Sequence, residues 1–472
     1  MKWSWANLRH SLHRELSPAE ESPGLIILGA FVGLFTGAGA LLFHYLIALL
    51  HNLFFQGHWS FYYNEHLPSV PAPWGPWLIL VPVLGALLVT ILVQRVAAEV
   101  EGAGVSQVMD AVHTDGGRMR PIVALLRPVA TALTLGSGGS AGREGPAMQF
   151  GAAIGAFMGH LLPMSDKRRI HLVGCGVGAG IAAVFNAPLG GWFFAMEVIV
   201  PDWRPWTVLS TLVATISATW ITELGLGNFH LLAYVSTKTI SGSLTLPVFA
   251  LLGIMTGLAS FLFIQMLTWT GQISKQYFPN PYLRHMSGML LVGLMLYGLF
   301  LFTGHYYLIG GSYFAISEIL TGQLHLVGFL ILLLILKGIA TSLTIGTGGS
   351  GGIFSPSLFI GAAIGAGAGY LADALLGWHG SVPLFAMCGM AGMVGATTGA
   401  LISAPVMVVE LTNNYHILLP AMVTALTAFA LRRVFLEQSI YTYPLFKKGL
   451  DIPENHYVVQ EKLHMDDASG KP

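Results

Sequence analysis

Long runs without charge alternate with short polar breaks along this chain. From Gly24 to Asn64 there is no Asp, Glu, Lys or Arg, a stretch longer than the roughly 20 apolar residues that carry a helix across a bilayer. Leu25 to Leu50 is predicted as the first membrane helix. A Pro- and Trp-rich connection, Pro68 to Trp77, leads to a second apolar run ending at Gln94. Further apolar segments fall at 122–135, 146–163, 170–184, 187–200, 206–224, 246–270, 284–303, 328–345, 356–376, 383–399, 400–412 and 417–435. Several are too short to span about 30 Å of hydrocarbon. Half-length helices are tolerated in a membrane only where their ends face protein or a wet cavity. The short alternating segments of a strand barrel are absent from the sequence. Ahead of the first run, Trp3, Trp5, Leu8, Leu12 and Leu16 among Lys2, Arg9 and Arg14 predict an amphipathic surface helix. Ser17-Pro18-Ala19-Glu20 then has the cap, N1 proline and N3 glutamate of a new helix start.

One pattern occurs twice. Gly136-Ser137-Gly138-Gly139-Ser140-Ala141-Gly142-Arg143-Glu144-Gly145-Pro146 runs into Gly151-Ala152-Ala153-Ile154-Gly155-Ala156. Gly346-Thr347-Gly348-Gly349-Ser350-Gly351-Gly352-Ile353-Phe354-Ser355-Pro356 runs into Gly361-Ala362-Ala363-Ile364-Gly365-Ala366. Gly136 to Gly346 and Gly151 to Gly361 are both 210 residues apart, so the two copies align without a gap. The chain is therefore read as a duplication. A second echo has Ala187-Pro188-Leu189 leading to Glu197 and Ala400-Leu401-Ile402 leading to Glu410, 213 residues apart. Loop glycines followed by Pro and an apolar run read as a helix N-terminus, with free N–H groups and a positive dipole end. Two such ends could together hold an anion without any lysine.

Composition supports the membrane reading. Charged residues make up 9%, against about 25% in soluble proteins. Hydrophobic residues make up 54% and mean hydropathy is +0.68. With 22 basic and 22 acidic residues, no nucleic-acid partner is implied. Cys175 and Cys388 lie in apolar surroundings and read as small buried hydrophobes. No Gly-Lys-[Ser/Thr] phosphate loop is present, so nucleotide-driven pumping is not expected. The histidines are scattered, with no two-His helix motif; neither a metal nor a cofactor is expected. The charged start and the length of the first apolar run argue against a cleavable signal peptide.

Glu144 is the main chemical candidate. A carboxylate in the hydrocarbon zone needs a partner or a function. Arg143 is adjacent, but neighbouring helical residues diverge by about 100° and pair poorly. At a helix N-terminus, Glu144 occupies the place an anion would take and competes for the same amides. Protonation removes its charge and releases it, making it both gate and proton carrier. Gly138-Gly139-Ser140-Ala141-Gly142 also fits the Gly-x-Ser-x-Gly hydrolase motif. Its twin at 348–352 fits as well, and a duplicated nucleophile outside a strand–turn–helix is not expected to be an enzyme.

These residues carry a family resemblance. Gly142-Arg143-Glu144-Gly145-Pro146, Gly352-Ile353-Phe354-Ser355-Pro356, Ala396-Thr397-Thr398, Glu410-Leu411-Thr412 and Ser439-Ile440-Tyr441 resemble the CLC family of chloride channels and chloride/proton antiporters, over about residues 20–450. The resemblance implies an all-α polytopic membrane protein of two duplicated, inverted halves with re-entrant and half-length helices. It implies that Glu144 is the gating glutamate. It further implies that the amides of Ile353 and Phe354 bind the anion and that the Tyr441 hydroxyl closes the inner side of that site. Two departures stand out. The family's Gly-Ser-Gly-x-Pro anion motif appears as Gly102-Ala103-Gly104-Val105-Ser106, so Ala103 stands where a serine would donate. Glu197-Val198 replaces a pair of glutamates of which the second takes protons from inside. Val198 therefore favours an uncoupled channel, and Glu197 is a possible proton feed.

The expected layout is an N-terminal segment 1–23, membrane repeats 24–225 and 226–446, and a polar tail 447–472 too short for a regulatory domain. The expected activity is chloride/proton antiport across the inner membrane, by a multi-pass homodimer in the lipid bilayer with cytoplasmic termini. Arg432, Arg433, Lys447 and Lys448 near the last helix agree with that orientation.

Overall fold

The computed structural model describes residues 23–452 apart from 66, 69, 163, 201, 228–231 and 233–243. The surface helix expected before residue 17 and most of the polar tail lie outside the described residues. Among those residues the regular structure is helical, with two isolated bridges between loops.

Among the described residues, eight helices are followed by eight counterparts. The first set is α1 (Gly24–His51), α2 (Val81–Arg95), α3 (Val105–Thr114), α4 (Ile122–Gly136), α5 (Glu144–Leu161), α6 (Asp166–Phe185), α7 (Pro188–Phe194) and α8 (Pro205–Leu226). The second is α9 (Thr245–Tyr277), α10 (Pro281–Thr303), α11 (Tyr313–Leu320), α12 (Val327–Gly346), α13 (Phe354–Leu376), α14 (Val382–Thr398), α15 (Ser403–Thr412) and α16 (Leu418–Phe435). A short α17 (Tyr443–Phe446) follows. Among the described residues nine helices are long and apolar enough to cross a membrane, and four shorter apolar ones accompany them. The apolar runs thus become helices close to their expected bounds. The exceptions are α3 and α11, ten and eight residues long. Their mixed composition, with Ser106, Gln107 and Asp110 in one and Ser317 and Glu318 in the other, gives no apolar run to detect.

Packing repeats between the halves. α5 lies on α6 as α13 lies on α14, and α1 lies on α8 as α9 lies on α16. The sequence allows the close crossings. A Cβ on Gly151 would strike the carbonyl of Gly176, and one on Gly176 the carbonyl of Gly151; Gly361 and Gly389 stand in the same relation. Both crossings are therefore backbone against backbone, which only glycine permits. The halves meet through α2 with α10, through α7 with α15, and through the twin glycine loops.

Candidate functional site

The twin loops pair reciprocally. Gly142 N–H donates to Gly352 O at 2.7 Å, and Gly352 N–H donates to Gly142 O at 2.6 Å. A local two-fold axis produces this antiparallel exchange. The same axis pairs Gly102 N–H to Gly349 O with Gly310 N–H to Gly139 O, each 2.9 Å. It also pairs Ser140 N–H to Thr344 Oγ1, 3.1 Å, with Ser350 N–H to Thr134 Oγ1, 3.2 Å. Four helices start around this knot: α3 at Val105, α5 at Glu144, α11 at Tyr313 and α13 at Phe354. Gly104 and Ser312, just ahead of α3 and α11, both have positive φ, 92° and 60°. Each start carries N–H groups without intrahelical acceptors and the positive end of a helix dipole. Their convergence favours negative charge at the centre.

Glu144 occupies that centre and is 0% exposed. Its Oε1 accepts from Tyr313 Oη at 2.5 Å and from Ser355 Oγ. The two hydroxyl oxygens are themselves 2.5 Å apart. Oε2 has no hydrogen-bond partner among the described residues and lies in the space left by missing side chains. A Cβ on Gly142 would collide with it, and a Cβ on Gly352 would sit 3.1 Å away. Arg143 does not pair with Glu144. Its Nη2 is 2.8 Å from Glu65 Oε1 in the connection after α1, and its guanidinium lies 5.8 Å from the Tyr313 ring centroid. Arg143, Glu65 and Tyr313 line a cavity of about 50 Å3.

Ile353 and Phe354 are both buried at the start of α13. The Phe354 ring packs on Phe185, 5.3 Å between centroids, and on Phe194, 6.3 Å. Phe194 also meets Tyr441 at 6.3 Å. Tyr441 is 1% exposed, yet its hydroxyl has no hydrogen-bond partner among the described residues. A buried hydroxyl without a partner is uncommon in a folded protein. Ser106 Oγ donates to the Tyr441 carbonyl at 2.8 Å, and Gln107 Nε2 donates to Glu101 O at 3.0 Å. Ala103 is half-buried, and its carbonyl abuts Gly145. Glu144, Ile353, Phe354, Tyr441 and Ala103 therefore gather around one knot of loops and helix starts.

The family described as voltage gated chloride channel matches residues 85–433. The chain belongs to that family. Among its relatives, "H(+)/Cl(-) exchange transporter ClcA" of Vibrio parahaemolyticus is 30% identical over 410 residues, covering 80% of this chain and 83% of that protein. The ClcA of a Vibrio cholerae strain is 31% identical over 384 residues, 79% and 80%. A slow cyanobacterial Cl-/H+ antiporter has the same fold, with TM-score 0.78 and 24% identity over 91% of this chain and 99% of that one. A CLC-type fluoride/proton antiporter superposes with TM-score 0.70 at 24% identity, covering 93% and 98%.

Within this CLC fold the two-fold relation exposes residues that the sequence reading passed over. Arg127 and Lys337 are 210 residues apart and both 0% exposed. Arg127 donates to the carbonyls of Val100 and Gly102, each at 2.6 Å. Lys337 donates to those of Leu308 and Gly310, at 3.2 and 2.6 Å. Each cation fastens the loop leading into α3 or α11. The repeat offset already in hand would have flagged them as a charged pair inside two apolar runs. Tyr313 has no such signal, because the matching start of α3 carries Val105. Ser355 lies inside the Gly352–Pro356 motif, where its repeat partner Gly145 carries no side chain to point to it.

The other repeat glutamates are also reciprocal. Glu197 accepts from the N–H groups of Ile402 and Ser403 at 3.0 to 3.1 Å. Glu410 accepts from Leu189 and Gly190 at 3.0 and 2.6 Å. Each caps the short helix of the opposite half, where a carboxylate complements the dipole. The hydrolase-like serines meet threonines: Ser140 Oγ lies 3.3 Å from Thr341 Oγ1, and Ser350 Oγ lies 2.9 Å from Thr131 Oγ1. CLC proteins are transporters, not enzymes, and this chain follows the family.

Proposed function

We propose that this protein exchanges chloride for protons across the membrane, with Glu144 as the group both ions displace. The supporting observation is a fully buried carboxylate at the meeting of four helix starts. Ionised, Glu144 takes the position an anion would prefer. Protonated, it no longer competes and an anion replaces it. The amides of Ile353 and Phe354 and the unpartnered Tyr441 hydroxyl are the remaining anion ligands in this reading. At Ala103 only backbone is on offer. The relatives named as H+/Cl- exchangers support the same pair of ions.

The test is direct. In liposomes loaded with chloride and diluted into low chloride, chloride efflux should draw protons inward against their gradient, recorded as a rise in external pH. Chloride efflux with no pH change would instead establish the uncoupled channel that Val198 favours.

Glu197 is proposed as a cap, not a proton feed, because its carboxylate is taken by two amides just as that of Glu410 is. Glu197→Gln should leave the proton-to-chloride ratio unchanged and lower stability by about 1 kcal/mol, the worth of a helix cap. Loss of proton movement in that variant would return Glu197 to the pathway.

Homodimeric assembly, repeats divided at about residue 225, and cytoplasmic termini complete the proposal. For orientation the exposed Lys447 and Lys448 carry the argument. Arg432 is buried and bonds the carbonyls of Ala396, Leu436 and Glu437, so its charge serves the end of α16.

A further inference from the structure

Three oxygens crowd one point at the Glu144 seat. Tyr313 Oη and Ser355 Oγ both donate to Glu144 Oε1, and they lie 2.5 Å from each other. Each hydroxyl has a single hydrogen. Both hydroxyls lie within hydrogen-bond reach of Oε1 and of each other, so either can donate to it, and a donor to an ionised carboxylate makes the stronger kind of bond. Both hydroxyls sit at helix starts, Tyr313 at the first residue of α11 and Ser355 at the second of α13. Tyr313 also lines the cavity shared with Arg143 and Glu65. Tyr313 thus reaches from that cavity to Ser355 and Glu144, and Ser355 Oγ lies 2.9 Å from where a Cβ on Gly142 would be.

Resting on the exchange reading above, we propose that Tyr313 and Ser355 form a two-hydroxyl dock occupied in turn by the Glu144 carboxylate and by the transported anion. While Glu144 is ionised, the dock holds it in place. Once Glu144 is protonated and leaves, the same two hydrogens pass to the incoming halide. The dock supplies from α11 and α13 the hydroxyl donors that Ala103 does not supply at α3. Tyr313 and Ser355 are accordingly positioning residues for the gate and specificity-determining residues for the anion. The dock belongs to one half only, because Val105 and Gly145 occupy the matching places in the repeat.

The other charged or titratable groups facing Glu144 are Arg143 beside it, Lys337 on α12 and Tyr441 ahead of α17, with Glu65 paired to Arg143. They are left intact in the variants, so a change in pH dependence reports on the hydroxyls. Removing a donor from the ionised carboxylate makes protonation easier. Flux should therefore persist to higher pH.

Tyr313→Phe, Ser355→Ala and Ser355→Thr are each reconstituted beside the wild type, and proton-coupled chloride flux is followed against pH. The pH of half-maximal flux should rise by about one unit in Tyr313→Phe and in Ser355→Ala, and return toward wild type in Ser355→Thr. Chloride binding is then measured by calorimetry with sodium chloride in a Glu144→Ala background, where the carboxylate no longer competes. Adding Tyr313→Phe or Ser355→Ala should weaken binding about tenfold. If Tyr313→Phe fails to fold, Ser355→Ala carries both measurements alone. An unchanged pH midpoint together with chloride affinity within about twofold overturns the dock. Exchange itself is judged on the wild-type liposomes: coupled wild-type flux with unaltered variants rejects the dock alone. Chloride efflux without protons in the wild type rejects the exchange reading and, with it, a dock alternating between carboxylate and anion.

Discussion

Glu144→Ala abolishes uphill proton movement and leaves chloride flux running. This is the largest functional effect expected of any single substitution. Arg143, Tyr313, Lys337 and Tyr441 surround the site. Of the side chains at the site, Glu144 supplies the negative charge that competes with an anion. Alanine has neither charge to occupy the anion position nor a site for a proton. The seat among the four helix starts is then permanently open to anions. In liposomes, a chloride electrode should record continued efflux while a pH electrode stays flat at every pH tested. Persistent proton uptake in the variant would show that another group carries protons and would remove Glu144 from the mechanism.

The largest structural effect falls on the twin buried cations. Arg127→Met and Lys337→Met each keep a long apolar stem but delete the donors to two buried carbonyls, those of Val100 and Gly102 or of Leu308 and Gly310. A buried group stripped of its partner costs about 1–3 kcal/mol, so each variant should lose roughly 2–6 kcal/mol of stability for two such groups. Unfolding in detergent, followed by denaturant titration, measures this. Anion affinity should fall in both variants as well, because the loops that set the starts of α3 and α11 are no longer held. Two variants as stable as the wild type would mean that water satisfies those carbonyls and that the cations are not anchors.

The large-scale design was legible in the chain. Charge-free runs marked the membrane helices, and the 210-residue offset marked two equivalent halves. Glu144 was legible because ionisable side chains are expensive in apolar surroundings. What escaped shares a physical cause. The helices α3 and α11 are short and mixed in polarity, so their place is fixed by tertiary contacts and not by an apolar period. Arg127 and Lys337 lay inside apolar runs and were read through as membrane segment. Tyr313 and Ser355 act through hydroxyls at helix starts, and nothing in local sequence says which distant carboxylate a hydroxyl will meet. The scaffold is symmetric while the chemistry is not. Where one copy has Glu144, the other has Phe354, and the start of α11 bears a phenol where that of α3 bears Val105. A repeat search finds the shared frame and is blind to these differences.

The reciprocal glycine crossings, Gly151 with Gly176 and Gly361 with Gly389, bear on how each half can move. Where two backbones touch without intervening side chains, there is no layer of rotamers to reshuffle as one rod slips past the other. Slippage by even a fraction of a turn would bring the Cβ of a neighbouring residue against a peptide oxygen. Within each half the two crossing rods are therefore coupled and move as one stiff body.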